Sequence, residues 1–284
     1  MAAATFDPAP LHAFIAHHAR LFVITGAGVS TDSGIPDYRD RNGDWKRAPP
    51  ITFQAFTDDM LARRRYWARS LVGWRHFGHA QPNLIHHALA ALERRNQVEV
   101  LLTQNVDGLH QAAGSQRVID LHGRLDSVRC LQCQARYPRA QVQRELEALN
   151  QTWTGFDAGA APDGDADLDG FDFSAFVVPD CAACGGMLKP DVVFFGESVP
   201  RERVDDAHRH LANADAVLVV GSSLMVYSGF RFVRTAVQRG LPVAAINLGR
   251  TRADDVLALK LEADGAEALA YLLAPDPAAG IHKM

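Results

Sequence analysis

The sequence predicts a doubly wound α/β sheet, in which parallel strands alternate with helices. Five short apolar runs are typical of parallel strands that are buried on both faces, and small or polar residues follow them. The runs are Leu21–Thr25, Val98–Thr103, Val118–Leu121, Ala216–Val220 and Val243–Asn247. Helical patterns separate most of these runs, and this alternation builds a parallel sheet with crossover helices. Ligands of such sheets bind outside the carboxyl ends of the strands, where the polar clusters of this chain lie.

The helical patterns lie over Pro82–Arg94, roughly Gly229–Gln238, and Ala266–Leu273. Two further segments interrupt the alternation. Residues 46–80 are rich in Arg, include Trp and Tyr, and predict a small helical insert. Residues 128–188 contain all four cysteines, with an acidic, Gly- and Asp-rich loop over 155–170 that we expect to be exposed and mobile.

Length and composition restrict the possible functions. A chain of 284 residues with 48% hydrophobic and 22% charged residues can bury the core of one large domain with a smaller insert. The formal net charge of −4 argues against a nucleic-acid partner, which usually requires a basic face. No apolar run approaches the ~18 residues of a membrane helix, and no signal or transit segment is seen. We therefore expect a cytoplasmic protein without a membrane partner.

A glycine turn follows the first predicted strand directly. Gly26-Ala27-Gly28-Val29-Ser30 lets the backbone approach a phosphate, and the N–H groups that follow can bind it. A bare G-x-G is also compatible with a tight turn that binds nothing, and the third glycine of the dehydrogenase pattern is missing. The polar loop that ends at Arg39 favours phosphate binding, because its Asp and Arg can wrap a dinucleotide.

Amide and carboxylate side chains follow the second predicted strand. Gln104, Asn105 and Asp107 suit ribose hydroxyls and a carboxamide. The alternative role is an Asx turn that caps a helix starting near Gly108. The two roles are compatible if Asp107 caps the helix and Asn105 binds the ligand.

His122 is the candidate general base. It lies between the third predicted strand and Gly123, and a neutral imidazole is a good base near pH 7. Its competitor His110 belongs to the start of a helix, where packing or capping is the expected role. The other histidines are interpreted as surface or helix positions.

The cysteines form two C-x-x-C pairs with none left over. Four thiolates bind zinc in a closed tetrahedral site, which is structural and not catalytic. The metal ligands are expected to be Cys130, Cys133, Cys181 and Cys184.

Three later segments admit both functional and ordinary interpretations. Residues 189–197 (Lys-Pro-Asp-Val-Val-Phe-Phe-Gly-Glu) suit an acyl-chain tunnel or an edge for a peptide strand, or simply a buried strand. Gly221-Ser222-Ser223 and Asn247-Leu248-Gly249 suit the far half of a dinucleotide, or ordinary strand–helix turns.

Taken together and in this order, these motifs resemble the sirtuin family of NAD-dependent protein deacylases from Gly26 to about Ala268. Details such as Arg65-Tyr66-Trp67-Ala68-Arg69 and Ala161-Pro162-Asp163-Gly164-Asp165 resemble its class II branch. The resemblance implies a Rossmann-like NAD-binding part, approximately 1–45, 81–127 and 189–284. It also implies a small module with a helical part at 46–80 and a zinc ribbon at 128–188.

The resemblance further implies the site and its reaction. NAD is the co-substrate and one zinc ion is structural. The acyl-lysine oxygen displaces nicotinamide, and His122, with Asn105 and Asp107, then supports attack by a ribose hydroxyl, which yields free lysine and O-acyl-ADP-ribose. The implied cofactor-binding residues are Gly26, Ala27, Gly28, Ser30, Ile35, Pro36, Asp37, Tyr38, Arg39, Gln104, Asn105, Val106, Asp107, Gly221, Ser222, Ser223, Asn247, Leu248, Gly249 and Gly265.

The partner is then an acyl-lysine protein or peptide, and the sequence does not establish an oligomeric state. Two other functions use the same NAD site: mono-ADP-ribosyl transfer to protein, and NAD sensing by an adaptor with little turnover. The acyl group stays open among acetyl, acidic acyl, lipoyl and biotinyl. Tyr66-x-x-Arg69 resembles a pair that recognises acidic acyl groups, and a helix-surface arginine is the alternative for Arg69.

Overall fold

The computed structural model describes residues 7–47, 49–156, 164–166, 168 and 170–274. Its main element is a six-stranded parallel sheet. The strands are β1 Leu21–Thr25, β2 Val98–Thr103, β3 Val118–Asp120, β7 Ala216–Val220, β8 Val243–Ile246 and β9 Leu259–Leu261. Their order is β3-β2-β1-β7-β8-β9, which is the order of a Rossmann sheet. The predicted doubly wound fold is confirmed, and β9 is an edge strand that the sequence analysis missed.

Helices cover both faces of this sheet. Their bounds are α1 Ala9–His17, α4 Leu84–Arg94, α7 Arg201–Asn213, α8 Tyr227–Gln238 and α9 Gly265–Leu269. Alternate residues of β1 point to opposite faces: Val23 packs with α1, α4 and α9, whereas Phe22 packs with α7 and α8. Because both faces are buried, the strands consist of continuous apolar residues. The three predicted helical patterns are present, and α1 and α7 are additional.

A second, smaller layer lies beside the main sheet. It contains the antiparallel strands β4 Gly123–Cys130, β5 Arg136–Pro138 and β6 Leu188–Val192, in the order β5-β4-β6. It also contains the helices α2 Phe53–Asp58, α3 Met60–Phe77 and α6 Arg139–Leu149, whereas the short helix α5 Leu109–Ala112 connects β2 to β3 of the main sheet. The predicted helical insert corresponds to α2 and α3. Strands β4 and β6 extend into segments that the sequence analysis assigned to the NAD-binding part.

Most of the acidic loop predicted over 155–170, with Ala161, Pro162 and Asp163, lies outside the described residues. Its described centre, 164–166, is buried rather than exposed. The cause is close packing on α3: Ala166 N–H donates to the Arg69 carbonyl at 3.0 Å. A Cβ at Gly73 would lie 2.3 Å from the Gly164 carbonyl oxygen, so only glycine permits this contact. Among the described helices, none is both long and apolar enough to cross a membrane.

Candidate active site

A deep cleft of about 730 Å³ lies at the carboxyl ends of the parallel strands. It lies where strand order reverses between β1 and β7, which is the position at which open α/β sheets bind ligands. The predicted residues that line it are Gly26, Ala27, Gly28, Ser30, Ile35, Asp37, Tyr38, Arg39, Gln104, Asn105, Val106, Asp107, His122, Gly221, Ser222, Ser223, Asn247 and Leu248. Pro36, Gly249 and Gly265 are not among the lining residues. The fold therefore brings most of the predicted site together from distant segments.

The glycine turn after β1 packs directly against the glycine turn after β7. Gly28 N–H donates to the Gly221 carbonyl at 2.9 Å. A Cβ at Gly221 would lie 2.6 Å from the Val29 nitrogen, and the residue has a positive φ of 58°. Glycine is thus required here for contact between the two turns, in addition to any approach of a phosphate.

The polar residues after β2 form one hydrogen-bonded cluster with the first turn. Ser30 Oγ donates to Asp107 at 2.7 Å, and Asn105 Nδ2 donates to the Gly26 carbonyl and to Ser30 Oγ, both at 3.0 Å. Asp107 also accepts from Leu109 N–H at 2.9 Å, so it ties down the start of α5 as well as facing the cleft. Burial raises the pKa of Asp107, and these hydrogen bonds oppose the rise.

Gln104 joins the cluster to the far side of the cleft. Its Nε2 donates to Ser222 Oγ at 2.8 Å, which connects the end of β2 to the turn after β7. Its backbone carbonyl faces the His122 Nδ1 at 3.0 Å. A single residue thereby orders both the glycine turn and the candidate base.

The hydrogen bonds of His122 define its tautomer. A carbonyl oxygen only accepts, so Nδ1 carries the proton that is donated to Gln104. The Nε2 lone pair is then free to accept, and Ser228 Oγ lies 2.7 Å from it. Burial lowers the pKa of His122 to about 4, the Gln104 carbonyl opposes this shift, and the charges of Arg203 and Arg231 add to it. The imidazole is therefore neutral at pH 7 with its basic nitrogen in the cleft.

We expect nitrogen-detected NMR of the free protein to show His122 as the Nδ1–H tautomer, titrating near pH 4. Because the folded-state pKa is lowered, the neutral base persists as pH falls and is lost only near that value. In the pH range between the ordinary pKa of ~6.5 and about 4, His122 binds a proton in the unfolded chain but not in the folded chain. The free energy of unfolding therefore decreases as pH falls through that range. Signals that vanish in His122→Asn provide the assignment. Titration near the ordinary value would contradict the prediction.

His110 has the packing role expected of it. Its Nε2 lies 2.9 Å from Thr25 Oγ1, its ring centre lies 4.8 Å from that of His86 in a tilted arrangement, and it does not line the cleft. His86 is a helix residue as expected, but it is fully buried. Ser228 is the contact that sequence reasoning missed: it lies 106 residues from His122, and no local pattern marks it.

The four cysteines converge at the end of the small sheet. Cys130 Sγ lies 3.5 Å from Cys184 Sγ, and Cys133 Sγ lies 3.7 Å from Cys181 Sγ. All four sulfurs lie within 4.8 Å of one another. Tetrahedral zinc with bonds of ~2.3 Å requires sulfurs about 3.8 Å apart. The observed cluster fits that ion, which would crosslink β4 to the turn that precedes β6.

The segment 189–197 is partly strand and partly cleft wall. Residues up to Val192 belong to β6, and residues 192–197 line the cleft. Glu197 stabilises the bend, because its carboxylate pairs with buried Lys189 at 2.9 Å and with Arg129 at 3.0 Å. The interpretation as a buried strand is therefore confirmed for the first part of the segment, and the second part forms a wall of the cleft.

Tyr66 lines the cleft, but Arg69 does not. The Arg69 guanidinium lies 3.6 Å from the Asp165 carboxylate, in the buried contact between α3 and 164–166. This position does not agree with the hypothesis that Arg69 faces an acyl group in the cleft.

Comparison with known proteins agrees with this geometry. The model of the Sir2 family matches residues 26–228, which include both the glycine turn and the cysteines. A protein of Xanthomonas axonopodis pv. citri named NAD-dependent protein deacetylase is 67% identical over 95% of this chain and 92% of its own length. The bovine NAD-dependent protein lipoamidase sirtuin-4, mitochondrial, is 48% identical over 91% of this chain and 83% of its own length.

A solved structure supports the same assignment. A Sir2–p53 peptide–NAD⁺ complex superposes with a TM-score of 0.72 and 28% identity, covering 94% of this chain and 97% of the other. The match to the family model and the high identity of the relatives extend over the fold, the cleft and the cysteine cluster. The chain belongs to the Sir2 family.

Proposed function

We propose that the protein is an NAD-dependent protein-lysine deacylase, with deacetylation as its basic reaction. The observation that carries this proposal is His122, a neutral imidazole held by Gln104 with its Nε2 lone pair in the cleft. The names of close relatives, NAD-dependent protein deacetylase, support the same reaction. The 48% identical sirtuin-4 supports placement in the class II branch.

NAD supplies an electrophilic ribose carbon and a leaving group, nicotinamide. The chain supplies the environment for that exchange. Asn105, Asp107 and Gln104 orient the nicotinamide ribose through donors and acceptors that are already ordered by their mutual hydrogen bonds. His122 accepts a proton from a ribose hydroxyl at Nε2, and its Nδ1–H stays on the Gln104 carbonyl. Pre-ordered groups of this kind reduce the reorganisation that the reaction requires.

The cleft wall at 192–197 and the four cysteines have supporting roles. The wall formed by 192–197 lines the part of the cleft in which an acyl-lysine peptide would bind. One zinc ion on the four cysteines is structural, because four thiolates leave no open coordination position. We propose a cytoplasmic site of action, because thiolates that bind zinc persist in a reducing compartment.

The function is tested by nicotinamide release from NAD with a panel of acetyl-, succinyl- and lipoyl-lysine peptides. Release that depends on an acyl peptide and equals the free lysine formed would establish the deacylase and name its acyl group. A mass increase on the acceptor without loss of an acyl group would instead indicate ADP-ribosyl transfer. Tight NAD binding without any release would indicate an NAD-binding adaptor.

Ser228 is expected to affect NAD affinity rather than the chemical step. Its hydroxyl occupies the Nε2 lone pair of His122, which the ribose hydroxyl needs. Ser228→Ala removes this competitor, and a net hydrogen bond of ~1 kcal/mol corresponds to an approximately fivefold lower KM for NAD. The tautomer is retained because Gln104 still holds Nδ1.

Steady-state kinetics separates the alternatives. Ser228→Thr keeps a hydroxyl and should retain the wild-type KM. Thr235→Ala is a control on the same helix, since its hydroxyl donates to the Arg231 carbonyl within α8 at 3.0 Å. A large loss of kcat in Ser228→Ala would show instead that Ser228 relays the proton.

A further inference from the structure

Three arginines surround the exposed Tyr227 at the mouth of the cleft. The guanidinium carbons of Arg231, Arg234 and Arg252 lie 5.8, 5.6 and 5.6 Å from the centre of its ring. Tyr227 is 45% exposed and lines the cleft. We call these three residues the arginine cluster. Stacking on an aromatic face holds a guanidinium in place while its N–H donors stay available.

Within the described residues, the arginine cluster has no carboxylate partner. No ion pair joins any of its members to another residue in the described part of the chain. Arg231 Nε is buried and has no hydrogen-bond partner there. The chain as a whole has a net charge of −4, so this is a local excess of positive charge. An unpaired buried donor is costly unless a ligand satisfies it.

One member of the cluster lies close to the reacting groups, and the other two lie outside the cleft lining. Arg231 lines the cleft one turn beyond Ser228, the residue that contacts His122. Arg252 donates to the carbonyl of Met225, which also lines the cleft, at 3.1 Å. The charge of Arg231 contributes to lowering the pKa of His122, which is consistent with a short separation.

The carboxylates that line the cleft already have partners. Glu197 and Asp37 are paired with basic side chains, and Asp40 and Asp107 accept hydrogen bonds from nearby groups. The arginine cluster therefore adds positive charge beside the cleft, and this charge attracts anionic groups that approach the site.

We propose that the arginine cluster binds acidic side chains that flank the acyl-lysine, so that the enzyme prefers acidic substrate segments. This inference rests on the proposed deacylase function and specifies its substrate class. A polypeptide is favoured over an acyl carboxylate because the three guanidiniums are spread around an exposed ring, and one acyl group can meet only one of them. It is favoured over the NAD phosphates because two of the three arginines, Arg234 and Arg252, are exposed beyond the cleft lining.

The test compares matched acetyl-lysine peptides that carry Asp and Glu, or Asn and Gln, at the neighbouring positions. We expect the acidic peptides to have a kcat/KM about three- to tenfold higher at low salt, as for a pair of partly exposed ion pairs. Higher salt should reduce this ratio, because screening weakens exposed charge pairs. The double variant R234Q/R252Q should bring the ratio close to one. R239Q is the matched control, because Arg239 carries the same charge but lies at the other end of α8 from Tyr227, where its guanidinium donates to the Ala212 carbonyl.

Three results would overturn the proposal. One is an unchanged ratio in R234Q/R252Q. Another is a higher KM for NAD in this variant with an unchanged kcat/KM ratio of acidic to neutral peptides, which would show that the cluster binds NAD. The third is that the double variant loses a preference for succinyl-lysine over acetyl-lysine in a neutral peptide, which would show that the cluster binds the acyl group. Fluorescence anisotropy with labelled acidic and neutral acetyl peptides reports the preference without turnover, so failure of this inference is distinguishable from failure of the deacylase assignment.

Discussion

Replacement of His122 by asparagine or alanine is expected to lower kcat/KM by ~10²–10⁴, the usual contribution of a general base. The physical reason is the single basic lone pair at Nε2, which the Gln104 hydrogen bond keeps available. Asparagine can still donate to the Gln104 carbonyl, but its amide cannot accept a proton at neutral pH. Initial rates of free-lysine formation with a saturating acyl peptide measure the effect, because His122 acts after nicotinamide has left.

Matched controls show whether the loss is chemical. His79→Ala removes an exposed histidine that does not line the cleft, and it should retain activity. NAD binding and the melting temperature of His122→Asn should stay close to wild type, because the amide occupies much of the imidazole volume. If His122→Asn kept more than about a tenth of the wild-type rate, the base would have to be another group.

The main sheet could be predicted because its strands follow a simple physical rule. Strands β1, β2 and β7 are buried on both faces, so each is a short continuous apolar run that ends at a polar or glycine turn. Strand β9, by contrast, is three residues long, contains Lys260 and lies at the sheet edge. Helix α7 buries few residues, chiefly Ala207 and Leu211. Such elements depend on the sheet that they join more than on local sequence.

The same distinction applies to the site. His122, Asn105 and the cysteines occur in local motifs, and the fold brings them to the positions that those motifs predict. The contact between Ser228 and His122 joins segments that only the packed sheet brings together. Arg69 shows the opposite case: a family resemblance suggested that it faces the acyl group, but its guanidinium lies beside the buried Asp165 carboxylate. No local sequence pattern predicts long-range polar contacts of this kind.

The second large effect concerns the four cysteines. Cys181→Ser is expected to reduce bound zinc from about one ion per chain to a small fraction, and to lower the melting temperature markedly, because binding of a structural zinc ion is itself folding free energy of ~10 kcal/mol or more. Cys181 and Cys130 also belong to the buried core that contains Trp67 and Phe176. Loss of the crosslink should therefore loosen the small sheet and the cleft wall at 192–197 that β6 leads into.

The measurements are metal content after gel filtration and thermal unfolding with and without a chelator. Ala183→Ser is the matched control, because it lies in the same turn, adds a hydroxyl and leaves all four thiols in place. We expect the chelator to reproduce the Cys181→Ser phenotype in the wild-type protein and in Ala183→Ser. We expect a smaller loss of NAD binding than of peptide turnover. The turns after β1 and β7 belong to the main sheet, whereas the cleft wall at 192–197 follows β6 of the small sheet. Stoichiometric zinc in Cys181→Ser, or unfolding that is unaffected by the chelator, would show that the cluster does not hold a structural metal ion.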